Sequence, residues 1–244
     1  MIARNVTLKH MRSRRVIGFI AGHRFEARVV VRFTFAVILA SAFVLGIEAQ
    51  TGAGRAVGTV EYVDGDVSIN GAPADFGQPV EYGDWVQTGP AASIDIVFDR
   101  ANIFRLGENT VAVVEVGTDR QRVDLKYGTL SAVFNRVRTL SGRGTFDVRT
   151  PTAVAGVRGT SFFLRVLDRE TTYVCACNGT LELDPYGEDG SFLDTAAEHS
   201  AHYFRDMDGV VTVEAAPEVF HDNDTLNAVA DVLGLSIPWG TLPE

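Results

Sequence analysis

The chain has 244 residues, 46% hydrophobic and 22% charged, with 24 glycines, 8 prolines and 2 cysteines. That apolar fraction excludes a disordered chain, the glycines lack the three-residue period of collagen, and two cysteines are too few for a disulfide scaffold. The net charge of −9 is uneven: residues 1–50 hold eight basic and two acidic side chains, leaving 14 basic and 29 acidic in 51–244, about −15, a body that repels nucleic acid phosphates.

The first segment, 1–50, reads as an export signal or a retained membrane anchor. Residues 33–47 (FTFAVILASAFVLGI) are uncharged and apolar and come after Arg24, Arg28 and Arg32. The run is short for a bilayer span of about 20 residues and fits a secretory apolar region, with an approximate cleavage site at Ile47-Glu48-Ala49. Its basic flank comes first, so the chain beyond residue 50 is expected outside the cytoplasm. The basic region is over-long, and a valine at 29, 30 or 31 would give a compact signal peptide.

From residue 57 the sequence reads as short strands. Segments 57–63, 66–70, 93–98, 103–106, 111–116, 123–126, 129–134, 162–166 and 173–177 are β-branched or alternate apolar with polar, which implies one buried and one wet face. Asp64-Gly65, Asn70-Gly71, Asn178-Gly179 and Asp208-Gly209 are the dipeptides that tight hairpin turns require. Gly83-Asp84 before Trp85 predicts a turn that aims the indole into the core. Thr150-Pro151 predicts a strand break, because proline lacks a donor. One helix is predicted over 225–233, with Asp224 as N-cap, an apolar stripe of Leu226, Val229, Ala230 and Leu233, and Gly234 as its stop. The pattern is an all-β body, a solenoid-like or sandwich-like stack of short strands, with a short C-terminal helix. No phosphate-binding loop, nucleophile elbow, HExxH or dinucleotide fingerprint occurs, so no catalytic set is assembled and an enzyme is not expected.

Residues 57–183 resemble the FecR-like domain family. The resemblance is carried by Gly58-Thr59-Val60, Gly65-Asp66-Val67, Tyr82-Gly83-Asp84-Trp85-Val86, Leu106-Gly107, Phe146-Asp147-Val148-Arg149-Thr150-Pro151, Val157-Arg158-Gly159-Thr160-Ser161-Phe162 and Asn178-Gly179-Thr180-Leu181. It implies an exported or periplasmic β-rich domain at 57–185, with a C-terminal extension at 186–244. The best-known relatives are iron-uptake regulators with a cytoplasmic anti-sigma region, one membrane span and a periplasmic sensing domain. With about thirty residues before the apolar run, that cytoplasmic region is not expected here. Arg158 and Thr160 are expected to pin backbone between strands.

The remaining chemistry lies at 175–221. Cys175 and Cys177 are i and i+2 on a strand, so their thiols share a face. His199, His202 and His221 lie downstream, and these are all the histidines after residue 50. Two thiolates with neutral imidazoles suit zinc, copper or an iron–sulfur centre. A strained disulfide and plain thiols with surface histidines are the alternatives. His199 and His202 are i,i+3; on a regular strand only one of them reaches the cysteines, in a turn both do. The resemblance adds that some FecR-like proteins pair Cys-x-Cys before this glycine with downstream histidines. Asp184, Glu188, Asp189 and Asp194 form an acidic stretch without a calcium-loop spacing. The expectation is a binding module holding a metal through Cys175, Cys177, His199, His202 and His221. The alternative is a metal-free periplasmic scaffold or signalling module that binds an envelope protein or cell-wall glycan. No nucleic acid partner is expected, and membrane contact only through an uncleaved N-terminal segment.

Overall fold

The computed structural model describes residues 56–98, 101–116, 121–134, 146–157, 159–187 and 190–242. The segment 1–50, read as a signal peptide or membrane anchor, lies outside the described residues, as do Arg158, Glu188 and Asp189. Among the described residues no helix is long and apolar enough to cross a membrane.

The strands are β1 (Ala56–Asp64), β2 (Val67–Ile69), β3 (Ala72–Pro73), β4 (Pro79–Glu81), β5 (Asp84–Thr88), β6 (Ser93–Phe98), β7 (Asn102–Leu106), β8 (Val111–Val116), β9 (Gln121–Phe134), β10 (Phe146–Arg149), β11 (Ala153–Val157), β12 (Ser161–Val166), β13 (Thr171–Pro185), β14 (Phe192–Ala196), β15 (Ser200–Met207) and β16 (Val210–Ala216). They form two layers. The first sheet runs β4-β1-β6-β7-β9-β12-β13-β15-β16 and the second β3-β2-β5-β8-β9-β10-β11-β13-β14. The long strands β9 and β13 belong to both.

The reason is local. Residues 121–127 of β9 pair in the second sheet and 128–134 in the first. Likewise 171–178 of β13 pair in the first sheet and 179–185 in the second. Glycines stand where each strand changes sheet, Gly128 at φ +90° and Gly179 at φ +120°, a conformation L side chains rarely adopt. A Cβ at Gly128 would strike Thr110, and one at Gly179 would strike Thr160. The bends close a five-stranded ring, β9-β10-β11-β13-β12, with β9 and β10 parallel.

The all-β expectation with a short C-terminal helix is met. The strands do not succeed one another as coils of a solenoid; they form the closed ring with flanking strands. Details of the strands differ from the sequence reading. Asn178-Gly179 is a bend inside β13 rather than a hairpin turn. Segments 123–126 and 129–134 are one strand. Trp85 is 41% exposed; the buried member of that turn is Asp84, which accepts hydrogen bonds from Asn70 Nδ2 at 2.7 Å and from the Glu81 amide at 2.7 Å. Alternation puts Asp84 inside and Trp85 outside, and two donors compensate the buried carboxylate. The Thr150-Pro151 break falls between β10 and β11 as read. Asn70-Gly71 and Asp208-Gly209 do form turns with positive φ at both residues.

Between the sheets lies the main core, which includes Ile96, Phe104, Leu130, Phe162, Leu164, Val174 and Phe204. A second core lies on the outer face of the first sheet: Ile103, Val133, Phe163, Tyr173, Cys175 and Cys177 are covered by Leu226, Val229, Ala230 and Ile237. The period of two divides one strand between them, with Val174 and Ala176 inward and Cys175 and Cys177 outward. The cover is helix α1 (Asn223–Ala230), continued by one 3-10 turn at Asp231–Leu233. It begins two residues earlier than read, because Asp222 rather than Asp224 is the N-cap: Asp222 accepts from the Thr225 amide and Thr225 Oγ1 accepts from the Asp222 amide, a capping box. Beyond the helix, Asn178 Nδ2 donates to the carbonyls of Ala197, Pro238 and Thr241, holding the tail against β13.

Candidate metal centre

Under this cover four of the five predicted side chains converge. Cys175 and Cys177 come from β13, His199 from the bend between β14 and β15, and His221 from the residue before the α1 cap. Cys175 Sγ is 3.6 Å from His199 Nδ1, Cys177 Sγ is 3.3 Å from His221 Nε2, and the two imidazole nitrogens are 3.2 Å apart. All four ligand atoms lie within 4.8 Å of one another. Both cysteines are fully buried and free of any disulfide.

His202 is not part of the group. It lies on β15 opposite Val174, and its side chain turns to the other face of the sheet. There Nε2 sits 3.3 Å from Asp194 Oδ2 and the ring meets Phe192 edge-on. Ala201, between the two histidines, is the residue opposite Cys175. His199 reaches the cysteines only because it stands just before the regular part of β15, so the i,i+3 rule for a strand does not bind it. Asp194 also accepts from Ser200 Oγ at 2.8 Å and ties β14 to β15.

The surroundings set which nitrogen of each ring is free. His199 Nε2 donates to Asn223 Oδ1 at 2.7 Å, with Glu218 Oε1 at 3.2 Å, so Nδ1 keeps its lone pair facing the sulfurs. His221 Nδ1 donates to the Val219 carbonyl at 3.1 Å, leaving Nε2 for the cluster. Outer partners of this kind fix tautomer and orientation in metal-binding histidines. The rings are clamped as well: His221 stacks on Phe163 at 4.3 Å and 6°, and His199 on Trp239 at 5.4 Å and 23°. Asn223, Glu218, Phe163 and Trp239 carried no metal-binding pattern in the sequence; the one available hint was Asn223 standing two residues after His221.

The thiols are electrostatically unequal. The Cys177 thiol, hydrogen-bonded to Cys175, together with His221 and His199, outweighs burial and brings Cys175 down to about 5. Burial, then the neighbouring Cys175 sulfur, pushes Cys177 well above the ordinary thiol range. For His199 burial opposes the charge, but the bonds to Asn223 and Cys175 and the Glu218 carboxylate raise it overall. A thiolate is therefore already favoured at Cys175, which is the form a metal takes.

The donor set and spacing fit one ion. Bonds of about 2.3 Å to sulfur and about 2.05 Å to nitrogen in a tetrahedron separate sulfur from nitrogen by about 3.6 Å and nitrogen from nitrogen by about 3.3 Å. Three observed edges, 3.6, 3.3 and 3.2 Å, lie close to these, and the whole set spans no more than 4.8 Å, so small side-chain shifts would complete the tetrahedron. Among the described residues no other group of three or more His, Cys, Asp and Glu ligands is so close.

With the fold and this geometry in hand, the chain can be set beside known proteins. Residues 84–182 match the family model described as FecR protein. No curated protein matches the chain. Two crystal structures, at 1.65 and 2.50 Å, of a protein from Parabacteroides distasonis ATCC 8503 named for a proposed anti-sigma factor role are similar to it, at 18% and 17% identity with TM-scores of 0.43 and 0.44. Each similarity covers 54% of this chain and 59% of the other. The matched segment runs from β5 to the second-sheet half of β13 and contains the whole ring except the last three residues of β13. It includes Cys175 and Cys177 but neither histidine. By that match, residues 84–182 make up a FecR-like domain, which supplies the two cysteines of the candidate set.

Proposed function

We propose that the chain is an exported FecR-like binding module in which Cys175, Cys177, His199 and His221 hold one zinc ion. The observation that carries this reading is the convergence of four ligand atoms within 4.8 Å from three separated segments. A tetrahedral set of two sulfurs and two nitrogens is suited to zinc. An iron–sulfur pair of irons would be bound by the cysteines on one iron and the histidines on the other. Here each sulfur instead sits within 3.6 Å of an imidazole, which favours a single ion.

Four protein ligands leave no open position for a substrate, the mark of a structural site. Bound zinc supplies cross-linking rather than acid–base chemistry. Cys175 and Cys177 anchor it on β13, His199 joins the β14–β15 bend and His221 joins the segment leading into α1. The C-terminal extension is thereby held onto the FecR-like domain, and the module acts by binding rather than by catalysis. Export is supported by the apolar run at 33–47 behind its basic flank, and the acidic body is consistent with a protein partner in the cell envelope.

Elemental analysis of the full chain purified from an exported fraction tests this. One zinc per chain, lost on C175A/C177A substitution while the β-sheet circular dichroism persists, is the expected result. A folded, metal-free protein that co-purifies with an envelope protein would replace this reading with a metal-free scaffold.

A further inference from the structure

The outer face of the first sheet carries a second feature. Arg105, Ser131, Phe163 and Cys175 lie in register on β7, β9, β12 and β13. The C-terminal extension covers the Cys175 end of this row. The Arg105 end remains an open cleft of about 320 Å³, bounded by Phe220 and Thr225, a size that admits a small ligand or a few side-chain groups.

Its charges are unevenly satisfied. Arg105 donates from Nε and Nη2 to the fully buried Asp95 at 2.6 and 2.7 Å. Arg165, on β12 opposite Thr129 of β9, makes no ion pair within 4.0 Å among the described residues. Its guanidinium lies 4.6 Å over the Phe220 ring. Glu108 stands at the rim, accepting from the Ala91 amide at 3.0 Å.

Phe220 is itself unusual. It holds φ at +71°, a left-handed conformation that costs a bulky residue roughly 1–3 kcal/mol. Even so it leaves 43% of its surface exposed. The ring is fixed edge-on to Tyr173 at 5.2 Å and forms a platform beneath Arg165. Tyr127, 49% exposed, also lines the cleft.

We propose that this cleft binds a ligand presenting one carboxylate beside an apolar group, with Arg165 as its anchor. A guanidinium stacked on an aromatic ring keeps its planar fork of donors for a bidentate carboxylate. Phe163, Phe220 and Tyr127 supply apolar wall for the adjoining group. Glu108 and the acidic body disfavour a doubly charged phosphate more than a single carboxylate. The carboxylate comes from a free organic acid or from the C-terminus of a peptide.

Amide NMR titrations of the full chain with phenylacetate and with the peptide Ala-Ala-Ala-Phe test the proposal and separate the two sources. Saturable shifts at residues 105–109, 127–131 and 163–167 are expected with at least one probe, at a Kd of about 1 mM or below. Binding by the peptide alone marks a peptide source, by phenylacetate alone a free acid. Phenylacetamide and the peptide amide are expected to bind at least tenfold more weakly, and so are the acids to R165M; R165K, which keeps the charge but not the fork, is expected to fall between. Equal binding of acid and amide, tighter binding of inorganic phosphate, no shift with either acid, or unchanged binding by R165M would each overturn it.

Discussion

At the scale of single residues, the cysteine pair was readable because a strand alternates with period two, and thiols two apart must share a face. The identity of the histidines was not. His199 and His202 are separated by three, and only the backbone just before β15 decides that His199 joins the sulfurs while His202 faces Asp194 and Phe192. Asn223 is the residue to test next. Replacing it with alanine removes the acceptor that holds His199 in its ligand tautomer, and zinc affinity in a chelator competition should fall about 10- to 100-fold. H202Q should leave zinc stoichiometry unchanged. A different residue-scale expectation concerns Asp147, whose carboxyl is raised by burial against the opposing pull of Arg122 and Arg149. The folded state thus holds this proton more tightly than the unfolded chain. Its contribution is fully present below the ordinary carboxylate value and is lost as pH rises through the raised one. D147N should therefore stabilise the protein at pH 7, with the gain vanishing below about pH 4 in denaturant titrations at each pH.

At the scale of elements, the alternating segments located β1, β2, β6, β7, β8, β9, β12 and β13 but not the other eight described strands, and α1 was found within two residues because its apolar stripe and Gly234 stop are local signals. Its true cap was hidden because Asp222 and Asp224 both suit the position, and only the reciprocal bond with Thr225 selects the first. The two long strands were not legible as single elements. Gly128 and Gly179 look like turn punctuation in sequence, yet their positive φ serves to carry one strand from sheet to sheet. This gives a sharp expectation. G179A forces both an unfavourable φ and an encounter with Thr160, and should lower stability by about 3 kcal/mol, read from the midpoint of urea unfolding. A substitution at a true surface turn such as Gly71, where an added Cβ meets nothing within 4 Å, should cost less, about 1 kcal/mol.

For the whole molecule, the all-β class and the convergence of both cysteines with downstream histidines were legible in the sequence, whereas the closed ring was not, because ring closure depends on pairings between strands far apart in the chain. The FecR-like segment ends at residue 182 and both histidines lie beyond it. Removing zinc should therefore act on the extension first. Hydrogen exchange at residues 217–242 should rise on chelation while β9 and β12 stay protected, a local opening of the kind seen at low-stability elements. Zinc at a hundredfold excess over its Kd should add about 2.7 kcal/mol to the unfolding free energy. The shared strands carry one last consequence. Peeling the layers apart would require β9 and β13 to tear in the middle, so neither layer has an independent melting point. Heating the zinc-loaded protein should give one calorimetric peak for both layers, with matching van 't Hoff and calorimetric enthalpies.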